Sequence, residues 1–591
     1  MCRENHQNQE DSQNQEDKQS LENSQNQEDR QGQESSRNQE GIQKNQENCR
    51  DGGSNRKIVV TSALPYANGP IHLGHLVEYI QTDIYVRFLR LCGKQVIYCC
   101  ADDTHGAPIE INAYRLGISP EELIARSYQE HTEDFEKFQI SFDSYYSTNS
   151  PENKEFSDLI FSRLRDRGDI YQKVVELSYC PQCKRFLPDR YVKGTCPRCG
   201  AHDQYGDNCE VCNATYATTD LIGAYCSICG TAPIRKESEH YFFRLSSYSD
   251  QLRSWLVTNK QLQDEIKNYI LNWIDSGLKD WDITRDAPYF GFQILDDPGK
   301  YYYVWLDAPI GYMASTKHYC QTHANDFDSY WVKETGKIIH FIGKDIIYFH
   351  FLFWPAVLMG SGFRLPDNLI VHGFLTVNKE RMSKSRGTFI TAREYWQKAD
   401  PNYLRFYFAA NLSRNITDID FDLNDFKDRV NSELLGNVAN LANRSLNFLK
   451  NKLGGEMSAP HEEEYRSLVQ QKIFPILDAY QNYEFRAAMR GILEMSDYAN
   501  KYFQHREPWK VIKESKDEAS QIVSTCVHWV RDLAILLKPV IPSICRELEM
   551  QLNLPDLTFQ DLEKNIAGHI IGTPKPLVQR IEQLDLIVKG R

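Results

Sequence analysis

The 591-residue chain has no long hydrophobic run. Its most apolar stretch, YFHFLFWPAVLMG (Tyr348–Gly360), contains a His and a Pro and is too short to span a bilayer, which takes roughly 20 residues. The acidic, Gln-rich first segment resembles neither a secretory leader nor an Arg-rich transit peptide. The first 55 residues are instead mostly Gln, Asn and Glu, with SQNQED at Ser12 and again at Ser24. So little apolar surface cannot offset the entropy of ordering, and a disordered tail is predicted over 1–55. No repeat of 20–50 residues is present, which removes solenoids and propellers. Basic charge is not in surplus: the net charge is −13, and the tail, with 12 acids against 6 bases, supplies six of those negative charges. That balance argues against a general nucleic-acid coat but leaves room for a locally basic groove. These absences predict a soluble, cytoplasmic protein with no membrane contact.

What remains is 41% apolar overall and long enough for three or four domains of roughly 150 residues. KIVVTSAL precedes a helical period (Leu76, Tyr79, Ile80, Asp83, Ile84, Phe88), which leads into QVIYCCA. Strand, helix, strand implies a right-handed crossover and a parallel sheet. Short apolar runs return at YYYVWLDAP (301–309), KIIHFIGKDI (337–346) and NLIVHGFL (368–375). The expected organisation is an α/β domain in two halves, 56–150 and 303–374, split by an insertion at 151–302. A linking segment (375–436), an α-helical bundle (437–560) and a C-terminal segment (561–591) follow. The bundle rests on helical spacing from Val438, Leu441 and Leu446 through Ile473 to Tyr502.

The insertion holds four Cys-x-x-Cys pairs: Cys180/Cys183, Cys196/Cys199, Cys209/Cys212 and Cys226/Cys229. In a reducing compartment that pattern means metal rather than disulfides. Two such turns supply four thiolates, a closed tetrahedral site for structural zinc. Spacing alone admits several pairings. The favoured one is nested, with Cys196, Cys199, Cys209 and Cys212 as one site and Cys180, Cys183, Cys226 and Cys229 as a second. Metal-free reduced cysteines would leave these Pro- and Gly-bearing loops with little to hold them.

After the first strand comes TSALPYANGPIHLGH (Thr61–His75), with His72 and His75 three apart where a helix should begin. A helix N-terminus attracts anions, and residues three apart face the same way, toward the strand ends where open α/β sheets bind ligands. Gly74 removes a side chain where a flat ring could lie on the backbone. Later, ERMSKSRGTFI places Lys384 and Arg386 in a Ser- and Gly-bearing loop, suited to phosphates whose charge grows during transfer. Without the HLGH segment, that loop would read as an ordinary solvated basic turn.

Together, HLGH after the first strand and MSKS after the last resemble the two signatures of class I aminoacyl-tRNA synthetases. The flanks TSALPYANGPIHLGH, YVWLDAPIGYM, HFIGKDIIYFHFLFWPA and VHGF are similar to the methionyl members of that family, in the expected order over roughly 57–550. The resemblance implies a Rossmann-type catalytic domain split by zinc knuckles and followed by an anticodon-binding bundle. It implies a ligase that activates L-methionine with ATP and Mg2+, then charges tRNA(Met). It places His72, His75 and Lys384 in catalysis, and adds Gly74, Asp345, His372 and Gly373 around ATP. The methionine pocket would have Ala63, Leu64 and Tyr66 on one wall. Trp305, Ala308, Pro309 and Tyr312 would form another, with Phe349, His350, Phe353 and Trp354 beyond. Asp103 would pair with the α-ammonium. On the bundle, Asn440, Arg444 and Trp509 would meet the anticodon. Where the family's loop motif usually opens on Lys, this chain has Arg381.

Rival readings are a class I synthetase for another amino acid, a non-catalytic tRNA-binding paralogue, and a plain nucleotidyltransferase. The branched-aliphatic enzymes need a large editing domain, because one methylene gives too little discrimination. A cysteine enzyme would need an open zinc. A paralogue would be marked by loss of His72, His75 or Lys384, and all three are present. A nucleotidyltransferase would not need the helical bundle. The oligonucleotide-binding barrel that dimerises some family members has no counterpart after GHIIGTPKPLVQRIEQLDL, so a monomer is expected.

Overall fold

The computed structural model describes residues 56–188, 191–206, 209, 211–212, 214, 216, 218–382, 388–584 and 586. The acidic tail and Lys384 lie outside these residues. The chain opens with β1 (Ile58–Ser62), α1 (Leu73–Leu91), β2 (Val96–Asp102) and β3 (Ser144–Ser147). Helix α2 (Pro151–Asp166) and the long strands β4 (Ile170–Cys180) and β5 (Ile234–Phe243) follow. Next come α3 (Asp264–Asp275), α4 (Val304–Thr322), β6 (Lys337–Gly343) and β7 (Asn368–His372).

The central sheet runs β7-β6-β1-β2-β3 with every neighbouring pair parallel. Both faces are covered, which is why β1 and β2 are buried at every residue. Alternate side chains serve different cores. Val59, Ile97 and Ile338 face a cluster shared with Phe156 and Ile160 of α2. Val60, Tyr98 and Phe341 face α1 and a cluster that continues into the C-terminal helices. Because α2 packs against one face of the sheet, the excursion away from the sheet starts at Ile170. Strand order reverses at the β1/β6 boundary, which opens a crevice above the strand ends there.

β4 and β5 form an antiparallel arm, paired from Ile170↔Phe243 to Tyr179↔Ile234. It ends in a small sheet of Gln204–Tyr205, Val192–Thr195 and Ile222–Cys226, which carries the cysteine turns. Beyond the sheet, α5 (Pro401–Asn411) leads to α6 (Asn440–Leu453), α7 (Glu462–Gln481), α8 (Phe485–Arg506) and α9 (Lys516–Leu537), packed as a bundle. One fully buried cation joins the two parts. Arg405 of α5 donates to Asp83 Oδ2 of α1 (2.6 Å), to the Phe138 carbonyl (3.0 Å), and to the Pro539 and Val540 carbonyls (3.0 and 2.7 Å) at the end of the bundle. The last segment then runs back along the outside as a strap. Gln579 exchanges hydrogen bonds with the Tyr403 hydroxyl, and Ile581 with the Asn431 amide. Among the described residues no helix is long and apolar enough to cross a membrane.

Candidate active site

A cavity of about 1350 Å³ opens at the β1/β6 reversal. One end of it is the head of α1. His72 is the N-cap: the His75 N–H donates to His72 Nδ1 (3.3 Å) and the His72 N–H donates to His75 Nδ1 (3.4 Å). The rings stack with centroids 3.6 Å apart. Since each Nδ1 accepts, each ring carries its proton on Nε2. Burial, then His72 and His131, hold His75 well below its ordinary pKa, so it stays neutral. The predicted histidine pair therefore presents two Nε2–H donors and also caps the helix.

Described residues on either side of Lys384, Met382 before it and Phe389 and Ile390 after it, lie beside this turn. A Cβ on Gly74 would come within 2.6 Å of Met382 Cε, so the missing side chain makes room for the methionine before the loop. On the far side, Phe389 meets the His72 ring edge-on at 5.1 Å, and the Leu73 N–H donates to the Ile390 carbonyl (3.1 Å). Asp345, in the turn after β6, and His372 and Gly373, at the end of β7, also line the cavity. Gly373 is required by packing, because a Cβ there would lie 2.3 Å from the Thr417 carbonyl. Glu78, one turn below His75, was not foreseen. Its Oε2 lies 3.4 Å from His372 Nε2, and its Oε1 has no hydrogen-bond partner among the described residues. Burial, partly offset by His372, pushes its pKa up to about 7. The signal available in sequence was its three-residue spacing from His75.

The other end is aromatic. Trp305, on the first turn of α4, stacks on Phe349 at 4.0 Å and 8°. The Tyr312 hydroxyl donates to His350 Nε2 (2.9 Å), because His350 Nδ1 is committed to the Ile346 carbonyl (3.1 Å). Burial lowers the His350 pKa to about 4, leaving a neutral ring. Trp354 is fixed by its indole N–H on His340 Nε2 (3.4 Å), and His340 Nδ1 meets Thr61 Oγ1 at 2.6 Å. Ala63, Leu64, Tyr66, Ala308 and Pro309 complete the wall. Phe353 does not reach the cavity: it is buried edge-on against Trp281 at 3.6 Å. Residues 349–353 form a π turn, in which the Trp354 N–H bonds the Phe349 carbonyl, so i and i+5 share a face rather than i and i+4.

Asp103, just past β2, lines the same cavity. Its Oδ1 is buried without a partner among the described residues. Burial, then Asp307 and Asp102, raise its pKa well above the carboxylate range. Such a group awaits a cationic donor. Asp307 is itself held by His105 Nδ1 at 2.6 Å, a buried pair that sequence reading did not single out.

Both cysteine sets form as the nested pairing expects. In one, Cys180–Cys229 and Cys183–Cys226 sulfurs lie 3.4 and 3.9 Å apart; in the other, Cys196–Cys212 and Cys199–Cys209 lie 3.8 and 3.5 Å apart. Tetrahedral Zn–S bonds of about 2.3 Å imply sulfur separations of about 3.8 Å, so both sets fit zinc. On the bundle, Arg444 lies over the Phe503 ring (4.2 Å), and Phe503 meets Trp509 at 6.0 Å. Trp509 is exposed, as is Asn440, one turn before Arg444 on α6.

The sequence model of the family described as "tRNA synthetases class I (M)" matches residues 58–446. That of the "Anticodon binding domain of methionyl tRNA ligase" matches residues 453–586. Among solved structures, Mycobacterium tuberculosis methionyl-tRNA synthetase in complex with methionyl-adenylate is 26% identical, with a TM-score of 0.75 over 88% of this chain and 99% of that one. A second structure of that enzyme bound by methionyl-adenylate is 24% identical, with a TM-score of 0.74 over 88% of this chain and 100% of that one. Its apo form is 25% identical, with a TM-score of 0.69 over 90% of this chain and 99% of that one.

Proposed function

The chain belongs to the class I tRNA synthetase family of the methionyl kind, and from that membership we propose which of its residues do the work. The activity is methionine–tRNA ligation, with methionine, ATP and tRNA as substrates. A methionine carboxylate oxygen attacks the α-phosphorus of ATP. The bond to the bridging oxygen breaks, and pyrophosphate leaves with the electron pair. The 2′-hydroxyl of the terminal adenosine of tRNA then attacks the methionyl carbonyl, and AMP departs.

The cavity's two ends carry this reading. Asp103 takes the methionine ammonium, which supplies the donor its buried Oδ1 lacks. Trp305, Phe349 and Trp354 enclose the thioether, where sulfur–ring contacts contribute about 0.3–1.5 kcal/mol each. The Nε2–H groups of His72 and His75 face the phosphates, and Lys384 follows the pyrophosphate as its charge grows. Asp345, His372 and Gly373 frame the nucleoside side. Such chemistry depends on alignment and fixed charge rather than on a covalent nucleophile. Losing one of these donors should slow activation by roughly 10²–10³. Magnesium arrives with ATP as part of the substrate. Either cysteine set would hold a zinc through its four sulfurs, and one or two such ions would staple the arm as structural metal. Asn440, Arg444 and Trp509 meet the anticodon, the tryptophan as a stacking platform.

ATP–pyrophosphate exchange with each of the twenty amino acids tests the assignment. Exchange is expected with methionine alone, and exchange driven by cysteine or isoleucine instead would overturn it.

A further inference from the structure

Helix α3 spends its apolar periodicity on the core through Ile266, Ile270 and Ile274. A second stripe on the same helix, Tyr269 and Trp273, is left 52% and 42% exposed. The core does not need these rings, and large aromatics side by side at a surface mark an interaction site. They lead somewhere. Ring centroids run 6.3 Å from Tyr269 to Trp273, 5.0 Å from Trp273 to Tyr348, 5.8 Å from Tyr348 to Phe349, and 4.0 Å from Phe349 to Trp305 inside the cavity. Across the mouth, Phe374 is 41% exposed beneath the Lys344 ammonium at 4.4 Å. Two acids of α3 are matched by cations, Asp264 by Lys267 and Asp275 by Arg253.

We propose that Tyr269, Trp273 and Tyr348 form a stacking surface that leads the single-stranded 3′ end of tRNA into the cavity. The inference rests on the ligase reading above, whose second step requires that end to arrive from solvent. Unpaired bases are held by successive aromatic faces without regard to sequence, at about 1–3 kcal/mol per base. The ladder is continuous with the cavity, which selects this occupant over an unrelated protein.

The full chain carrying Trp273→Leu or Tyr269→Leu should retain methionine-dependent ATP–pyrophosphate exchange within about twofold of the parent. Its kcat/KM for tRNA charging should fall about tenfold, the lower part of one stacked base's worth, while Trp273→Phe should charge nearly normally. tRNA shortened by its 3′ single strand should bind parent and variants alike. 2-Aminopurine placed in that strand should be quenched by the parent and remain bright on Trp273→Leu. Normal charging by both leucine variants, or equal quenching on parent and variant, would overturn the proposal. Absence of exchange in the parent would count against the ligase reading itself. Should Trp273→Leu fail to fold, Tyr269→Leu and the quenching on the parent decide.

Discussion

Helix α1 carries two buried carboxylates five residues apart, and they have opposite fates. Glu78 faces the cavity with one oxygen unmatched, and burial lifts its pKa to about 7. Asp83 is buried just as deeply, yet Arg87, Arg405 and Ser141 hold its pKa at about 2. Burial alone is therefore not diagnostic. Of these two, the carboxylate whose hydrogen bonds are met inside the protein joins elements of the fold, and the half-met one lines the cavity. Asp103 repeats the half-met pattern elsewhere along the cavity, while Arg531, bonded to Asp532 and Tyr465 inside the bundle, repeats the met one.

The contrast breaks most visibly at Arg405. Arg405→Met takes one cation from Asp83 and leaves the Phe138, Pro539 and Val540 carbonyls without their donor, which should cost about 3–5 kcal/mol in urea denaturation. At the ligand end the effect should fall on chemistry instead. Asp103→Asn should lower kcat/KM for methionine in exchange by roughly 10²–10³, the worth of a buried charge partner, with no loss of melting temperature. Acid separates the two carboxylates next. Because the folded pKa of Asp83 lies below its ordinary value, its stabilisation is complete above about pH 4 and drains away as pH falls toward 2, a loss of about 2 kcal/mol visible in acid melts. The smallest effect belongs to Glu78. Ionisation above about pH 7 adds negative charge one turn below His75, so KM for ATP should rise through neutrality. Glu78→Gln should flatten that limb and gain, rather than lose, stability at pH 8.

Much of this was legible from local pattern. The β1–α1–β2 unit, the Cys-x-x-Cys turns and the histidine turn follow from short-range spacing, whereas the methionine pocket came from the family resemblance, and eleven of its twelve residues line the cavity. Phe353 departs because a π turn shifts the facing residue by one, which a 3.6-residue period cannot announce. Arg405 and Asp83 lie 322 residues apart, and no periodicity links them. Glu78 shares a helix face with His75 by its spacing, but its burial shows only in the fold, which covers α1 on that side.

The strap has a consequence for the order in which the molecule is made. Tyr403 finds its partner Gln579 only 176 residues later. At the ribosome's pace of about 5–20 residues per second, α5 waits roughly ten to thirty seconds for that contact. Through this interval Tyr403 and Asn431 lack the hydrogen bonds that Gln579 and Ile581 will supply, and the apolar surface that Val578 and Ile581 later cover stays open.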